Sequence, residues 1–270
     1  MDIPPKLQRH IDWIKTRECG PSAEPPPRLD RTVLYKTYLL GLDLHRCRLR
    51  YADLRYSLLS KANLEYADLA YANLEEAQLD EARLVMANLA GANLRYVNAI
   101  SANFQYSRLS KANLDGTDLA FADLGNTVLT EANLRETHLY GANLHRSKLV
   151  GADLRGADLR KTNLYCAILI QANLAGARLP SPTMLLLAWW NKLPDDITVQ
   201  LMRLDASAHP EGIAAFNRWS RGGLCPYESC QFQRVANFRE QRELWSPGPP
   251  PTIIEACKMV LDHCCPGWDK

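Results

Sequence analysis

A leucine or a close substitute occupies every fifth residue from Leu29 to Leu179, which gives 31 consecutive positions without an insertion or a deletion. The residue two positions earlier is small in most units, and the residue between the two is most often Asn or Asp, as in Ala112-Asn113-Leu114. A period of five fits neither the 3.6-residue period of a helix nor the two-residue period of a strand. Neither element alone can therefore bury this leucine set.

A fixed short period repeated along half of a chain is typical of a solenoid. If four units form one coil of twenty residues, the leucine and the small residue of each unit point inward, and the other three side chains point outward. Successive coils then pair through backbone hydrogen bonds at the usual strand spacing of about 4.8 Å. The sequence therefore predicts a β solenoid over residues 28–180 of the 270-residue chain.

The repeated units resemble the pentapeptide-repeat family over residues 28–179. The resemblance implies the family fold, a right-handed quadrilateral parallel β-helix, whereas periodicity alone gives only the inward-facing set. It also implies a function class, since some members resemble duplex DNA in size and charge and inhibit or protect type II topoisomerases. This chain departs from those members in its slightly basic repeats, its lack of protruding loops and its long C-terminal extension.

Columns of residues spaced by twenty support the predicted coil length. Residues from Arg55 to Arg135 alternate in charge at this spacing, and residues from Asp53 to Asn173 are all Asn or Asp. Stacked opposite charges and stacked amides both stabilise adjacent strands. Where the inward leucine becomes Ala99, the small residue before it becomes Val97, so that part of the lost volume is restored.

Composition limits the function classes open to the chain. The net charge is +2, and residues 28–179 hold 19 Lys or Arg against 16 Asp or Glu, so that we expect neither direct nucleic-acid binding nor a strongly acidic DNA mimic. The start, from Met1 to Pro5, lacks the features of an export signal, and the longest apolar run, Met184 to Trp190, is too short to cross a bilayer. We therefore expect a cytoplasmic protein, without a membrane partner, whose eight cysteines are mostly thiols.

The flanks of the solenoid are predicted to be helical. Residues 1–27 hold an amphipathic helix over 5–18 and a Pro-rich connector; the helix either caps the first coil or binds a partner. Residues 181–270 are predicted to form a small, mostly helical domain. The first predicted helix is apolar and covers Met184–Trp190, and the second is capped by Asp195 or Asp196 and runs to about Ala208. A third helix starts near Pro210. The fourth begins with a capping box at Thr252 and ends near His263.

Two sets of outward residues are candidate contact sites. Tyrosine and arginine, which interfaces favour, form the first set, although strand propensity and self-stacking also explain the tyrosines: Arg46, Tyr51, Tyr66, Tyr71, Tyr106 and Arg146. The second set is apolar and lies on one face of the last coils: Val128, Val150, Ile168 and Ile170. We expect the chain after Pro180 to fold back on this second set; a homodimer contact is the alternative.

The C-terminal segment also carries cysteines that could be drawn as a zinc site. These are Cys225, Cys230, Cys257 and Cys264, but their spacing is loose, and Cys257 and Cys264 share a helical face that is typical of a core. Buried free thiols and a redox role for the adjacent Cys264 and Cys265 are the other interpretations. The sequence carries no phosphate loop, zinc-protease motif or nucleophile elbow, so we expect no enzyme and no cofactor.

Three functions follow in order of preference. The first is a non-catalytic scaffold that presents a rigid surface to a macromolecular protein partner. The second, implied by the resemblance, is a DNA-mimicking modulator of a type II topoisomerase or another DNA-binding protein. The third is a solenoid that carries a metal-binding C-terminal module.

Overall fold

Residues 28–179 form a parallel β solenoid with a coil of twenty residues. The computed structural model describes residues 5, 7–9, 28–188, 190, 193–208, 212–221 and 243–269. Every bridge in the solenoid is parallel and joins residues twenty apart, from Arg28 and Arg48 at the start to Asp158 and Arg178 at the end. This confirms the predicted coil length. The bridges are single-residue pairs, because each unit turns a corner after a short straight run.

Each unit places its five residues in the same way, shown by residues 112–116. The small residue Ala112 and the leucine Leu114 are buried, and the bridge residue Asn113 between them points outward. Two corner residues, Asp115 and Gly116, then turn the chain. The second corner position has a left-handed backbone with φ between 51° and 71° in the repeats, whether it holds glycine or another residue. Four such corners close each coil.

In a unit with Asn or Asp at the bridge position, the backbone amides are all satisfied. The leucine and second-corner N–H groups donate to the next coil, the bridge N–H donates to the preceding coil, and the N–H of the next small residue closes the turn. The first-corner N–H has no ladder partner and donates to the Oδ1 of the bridge residue instead. In residues 113–117 these distances are 2.7, 2.9, 2.9, 3.0 and 3.3 Å, in the order just given. Because buried amides must be paired, this explains the preference for Asn or Asp at the bridge position.

Bridge-position amides also form ladders along the axis, as the sequence predicts. Asn93 Nδ2 donates to Asn73 Oδ1 at 2.9 Å, and Asn133 Nδ2 donates to Asn113 Oδ1 at 2.8 Å. The predicted charge column is only partly formed. Arg95 lies 3.8 Å from Glu75 and 3.4 Å from Asp115, but Arg55 instead makes a bidentate pair with Asp53 of its own unit.

The interior consists of the leucine and small positions, which are buried along the solenoid except near its ends, where Thr32, Thr37, Leu42, Ala177 and Leu179 are half-buried. Val97 and Ala99 are both buried, in agreement with the predicted exchange of volume. Phe104, which occupies the next leucine position of the same coil, is also fully buried. Its ring adds volume to the coil in which alanine replaces leucine, so two substitutions compensate for Ala99.

Aromatic residues at the second corner position lie flat along the next coil. A Cβ atom built on Gly116 would lie 2.6 Å from the ring of Tyr96, and one built on Gly91 would lie 2.6 Å from the ring of Tyr71. Phe121 stands in the same relation to Gly141, at 2.8 Å. Glycine twenty residues after an aromatic therefore makes room for the ring.

We expect Gly116→Ala to destabilise the solenoid more than Gly41→Ala. Both glycines have φ of +64°, so both substitutions carry the left-handed strain of about 1 kcal/mol. Only Gly116 faces a ring, since no atom lies within 4 Å of a Cβ built on Gly41. Urea unfolding followed by circular dichroism should give a free energy of unfolding that is about 1 kcal/mol lower for Gly116→Ala. Adding Tyr96→Ala should remove the difference; an equal loss in the two single variants would contradict this account.

Four helices are described after the solenoid: α1 Pro182–Leu186, α2 Asp195–Ser207, α3 Gly212–Ser220 and α4 Ile253–Cys264. Helix α4 has the predicted capping box, with reciprocal bonds between Thr252 and Glu255. Helix α1 was predicted over Met184–Trp190 but spans Pro182–Leu186. It begins two residues earlier than predicted because Ser181 caps it and proline occupies its first turn. The prediction that Asp195 or Asp196 caps α2 was wrong, since both lie within its first turn after Pro194.

The helices cover the C-terminal end of the solenoid. Helix α1 packs against α4, and α2 packs against α3 and α4. The Cys166 N–H donates to the Leu187 carbonyl at 3.1 Å, where another coil would otherwise provide the acceptor. The Cys265 thiol donates to the Ala172 carbonyl at 3.4 Å and accepts a bond from the Leu174 N–H. The edge of the last coil is thus partly satisfied by groups outside the repeats.

Most of the predicted N-terminal helix, and the predicted helix start at Pro210, fall outside the described residues. Residues 7–9 are helical, and Leu7 among them is fully buried. None of the helices in the described part of the chain is long and apolar enough to span a bilayer.

Candidate interaction surface

One side of the solenoid gathers most of the residues that the sequence singled out. Along Arg46 to Arg50 the side chains alternate, so that positions 46, 48 and 50 point outward while Cys47 and Leu49 are buried. Repetition every twenty residues extends these three positions into three parallel columns. We call this surface face A: residues 46 to 166, 28 to 168 and 30 to 170, each taken in steps of twenty.

Both predicted residue sets map onto face A, with two exceptions. The first column contains Arg46, Tyr66, Tyr106 and Arg146, and the other two columns contain Val128, Val150, Ile168 and Ile170. The exceptions are Tyr51 and Tyr71, which lie at the second position of the corner that follows the third column, whereas the first column lies at the second position of the preceding corner. A corner therefore separates these two tyrosines from face A.

The first column is an exposed ridge of large side chains. Tyr66, Met86 and Tyr106 are 50%, 48% and 51% exposed. The guanidinium of Arg46 lies 5.6 Å from the centroid of the Tyr66 ring, within the range of a cation–π contact. Beyond the corner, Tyr51 and Tyr71 stack with ring centroids 5.2 Å apart. These aromatic side chains are fixed by their neighbours and lose little conformational entropy when a partner binds.

Face A holds seven cations and two carboxylates, Asp30 and Asp68. Arg48 lies 3.4 Å from Asp30, and Arg50 lies 3.8 Å from Asp68. No carboxylate of the described residues comes within ion-pair distance of the other five, which are Arg28, Arg46, Arg108, Arg146 and Lys148.

The other three sides of the solenoid use most of their cations within the fold. Of the twelve remaining Lys and Arg in residues 28–179, eight form ion pairs with Asp or Glu. The bidentate hydrogen bonds of Arg55 lower the pKa of Asp53, and those of Arg160 lower the pKa of Asp158. The unpaired positive charge is therefore concentrated on face A.

Sequence reasoning missed this basic cluster, although its signal is visible. Arg46, Arg48 and Arg50 occupy alternate positions, which in an extended segment lie on the same side. Arg48 and Arg50 line a shallow depression of about 350 Å³ at the corner, together with Asp30, Arg31 and Tyr51. The overall charge balance concealed the cluster, because acidic residues lie on the other sides.

The C-terminal end of face A is apolar. Val128, Val150, Ile168 and Ile170 are half-buried, as is Thr130 among them. The C-terminal segment contacts the end of the solenoid at Cys166, Ala172 and Leu174. Coverage of this apolar patch by the chain after Pro180, or by a second copy, stays a prediction.

The proposed zinc ligands are only partly described. Cys225 and Cys230 lie outside the described residues, together with the predicted core residues Tyr227, Phe232 and Phe238. Burial raises the pKa of the Cys257 thiol to about 11, while Cys264 is half-buried. Within the described ranges, no three His, Cys, Asp or Glu side chains are grouped to hold a metal ion.

The family model for pentapeptide repeats matches this chain in eight copies that span residues 28–65, 57–95, 82–120, 117–156 and 142–179. The chain belongs to the pentapeptide-repeat family. Members of this family form right-handed quadrilateral β-helices, which agrees with the four corners and twenty-residue coils described above. No curated protein shows significant similarity to the chain.

Several solved pentapeptide-repeat structures are similar to the repeat region. HetL of Nostoc sp. strain PCC 7120, involved in heterocyst differentiation regulation, is 33% identical, with 56% of this chain and 84% of HetL covered and a TM-score of 0.31. QnrB1, a plasmid-mediated fluoroquinolone resistance protein, is 19% identical, with 55% and 83% covered and a TM-score of 0.43. A protein of the Arabidopsis thaliana thylakoid lumen is 24% identical, with 46% and 69% covered and a TM-score of 0.25.

Proposed function

We propose that this pentapeptide-repeat protein is a non-catalytic interaction protein that presents face A to a macromolecular protein partner. The observation that carries the proposal is the ridge of half-exposed Tyr66, Met86 and Tyr106 beside unpaired arginines. Tyrosine, methionine and arginine are enriched in the buried parts of protein interfaces, and tyrosine and arginine are frequent binding hot spots.

The architecture supports recognition by a rigid body. Inward positions are committed to packing, and in units with Asn or Asp at the bridge position every backbone amide is hydrogen-bonded, as in residues 113–117. Such a wall pays little conformational entropy when it binds, so its outer side chains can recognise a large, flat partner. We place the protein in the cytoplasm and assign the C-terminal helices the role of a capping domain. We assign Val128, Val150, Ile168 and Ile170 to a contact with the chain after Pro180 or, alternatively, with a second copy of the protein.

The competing function is a DNA-mimicking modulator of a type II topoisomerase. A mimic of duplex DNA needs a continuous negative surface, because the phosphates it replaces carry one charge each. Face A has the opposite sign, and eight of the fourteen carboxylates on the other sides are paired with Lys or Arg, as in Lys61–Glu81 and Lys111–Glu131. A gyrase supercoiling assay separates the two functions: inhibition or drug protection at micromolar protein would favour the mimic.

Capture of partners from the native host tests the leading proposal. A variant with Tyr66→Ala, Tyr106→Ala and Arg146→Ala should lose the specific partner, because these changes remove the ridge of face A. A matched control changes two tyrosines and an arginine at corners outside face A: Tyr56→Ala, Tyr96→Ala and Arg135→Ala. We expect about a tenfold loss of captured partner for the first variant only. Equal recovery by all three proteins would show that face A is not the docking surface.

A metal-binding C-terminal module is the third possibility, and elemental analysis of purified protein tests it. Zinc bound in stoichiometric amount, and lost when Cys257 and Cys264 are changed to Ser, would support it. If the purified protein holds no zinc, the metal-binding function loses its main support, and Cys257 is then a buried free thiol of helix α4.

A further inference from the structure

We infer that the partner of face A is an acidic protein segment that lies extended along the solenoid axis. The inference rests on the proposed function and adds the chemistry and direction of the partner. It is carried by the five cations of face A that have no carboxylate partner within the described part of the chain, whereas two thirds of the cations on the other sides are paired. Unpaired cations concentrated on one side attract a partner of opposite charge and set its orientation.

The unpaired cations of face A are spread along the solenoid axis. Arg46 lies in the second coil, Arg108 three coils later, and Arg146 with Lys148 two coils beyond that. At a spacing of about 4.8 Å per coil, the outer two groups are about 24 Å apart. An extended peptide covers this distance with about seven residues. Carboxylates three or four residues apart along such a segment would meet successive cations of face A.

The floor of face A suits a polypeptide. The third column is small in the middle coils, where it holds Ala70, Ala90 and Ser110, so a backbone can approach the wall there. The column of Tyr66 and Tyr106 forms a raised border on one side. An extended segment can therefore lie beside the ridge.

A protein segment fits face A better than a nucleic acid does. Beside its cations, face A exposes the ridge of Tyr66, Met86 and Tyr106, whose apolar surface the side chains of a protein segment can bury but phosphates cannot. Nucleic-acid binders neutralise many phosphates at once, and five free cations spread over six or more coils form a sparse set for that purpose.

Fluorescence anisotropy with defined peptides tests the inference. The probe is a fluorescein-labelled peptide of about twelve residues with Glu at alternate positions and Leu or Val between the glutamates. A second peptide replaces every Glu by Gln, and a duplex DNA of about twenty base pairs is the nucleic-acid arm. We expect the acidic peptide to bind at least about tenfold more tightly than the Gln peptide and the DNA, with an affinity that falls as salt is raised.

Charge reversal with a matched control locates the site. The variant Arg108→Glu, Arg146→Glu, Lys148→Glu should weaken binding of the acidic peptide by at least about tenfold. The control Lys36→Glu, Arg135→Glu, Lys161→Glu makes the same change in net charge with three cations that also lack an ion pair but lie outside face A. We expect less than about a threefold effect there, and circular dichroism should show the same fold for both variants.

Each outcome decides the inference without deciding the proposed function. Equal weakening by both reversals would show a general charge effect and overturn it. Tighter binding of the duplex DNA than of the acidic peptide would overturn the inference in favour of a nucleic acid. Equal binding of the Glu and Gln peptides would overturn it in favour of a neutral partner. In all three cases, the proposed interaction function would still hold if capture from the host finds a partner whose binding depends on Tyr66, Tyr106 and Arg146.

Discussion

Phe104→Ala is expected to lower the free energy of unfolding by about 3–5 kcal/mol, the usual cost of removing a fully buried phenyl ring. Phe104 is the largest fully buried side chain of the solenoid and belongs to the coil in which Ala99 replaces leucine. Its neighbours cannot close the resulting cavity, since the coils above and below fix the backbone through the ladder bonds. Urea unfolding monitored by circular dichroism measures the loss.

Val97, Ala99 and Phe104 share the interior volume of this coil, which allows a more specific test than the loss of the phenyl ring alone. Ala99→Leu by itself should overpack the coil and cost about 1–3 kcal/mol, because Val97 and Phe104 already occupy the space. The triple variant Val97→Ala, Ala99→Leu, Phe104→Leu rebuilds the ordinary set of inward residues. It should be more stable than the sum of its single changes by about 1–3 kcal/mol. Strict additivity would show that the three side chains do not share one volume.

The solenoid itself could be predicted from the sequence because no other regular structure buries residues five apart. The period gives the inward set, the twenty-residue columns and therefore every bridge partner. The period does not give the position of the corners within a unit, which depends on the turn that Leu114 and the next small residue close by a hydrogen bond of 3.0 Å. For this reason the sequence placed Tyr51 and Tyr71 beside the Arg46 column, whereas a corner separates them from face A.

Side-chain pairing was less predictable than backbone register. A charge column predicts partners in adjacent coils, but Arg55 reaches Asp53 in its own unit because a bidentate geometry is available there at 2.7 Å. The same local geometry recurs for Arg155 with Asp153 and Arg160 with Asp158. The basic character of face A therefore emerges only when each cation is assigned its actual partner.

Leu186→Asp is expected to open the C-terminal end of the solenoid, with a loss of about 3–5 kcal/mol of stability in that region. Leu186 is 3% exposed on helix α1, which packs against α4. A carboxylate buried there has no described cation to pair with on α1, whose last turn holds no basic residue. Separation of α1 from α4 would also release the contact between Cys265 and the last coil.

Alkylation of Cys265 provides a direct readout of this opening. Burial raises the pKa of the Cys265 thiol to about 12, so in the native protein its reactive thiolate is scarce at neutral pH. Peptide mapping by mass spectrometry after brief treatment with iodoacetamide should find Cys265 protected in the native chain and modified in Leu186→Asp. Thr183→Asp is the matched control, because it places the same charge at an exposed position in the first turn of α1, where a carboxylate is favourable. If Cys265 stayed protected in both variants, the thiol would not depend on α1, and the Cys166 and Leu187 contact alone would have to hold the helix at the end of the solenoid.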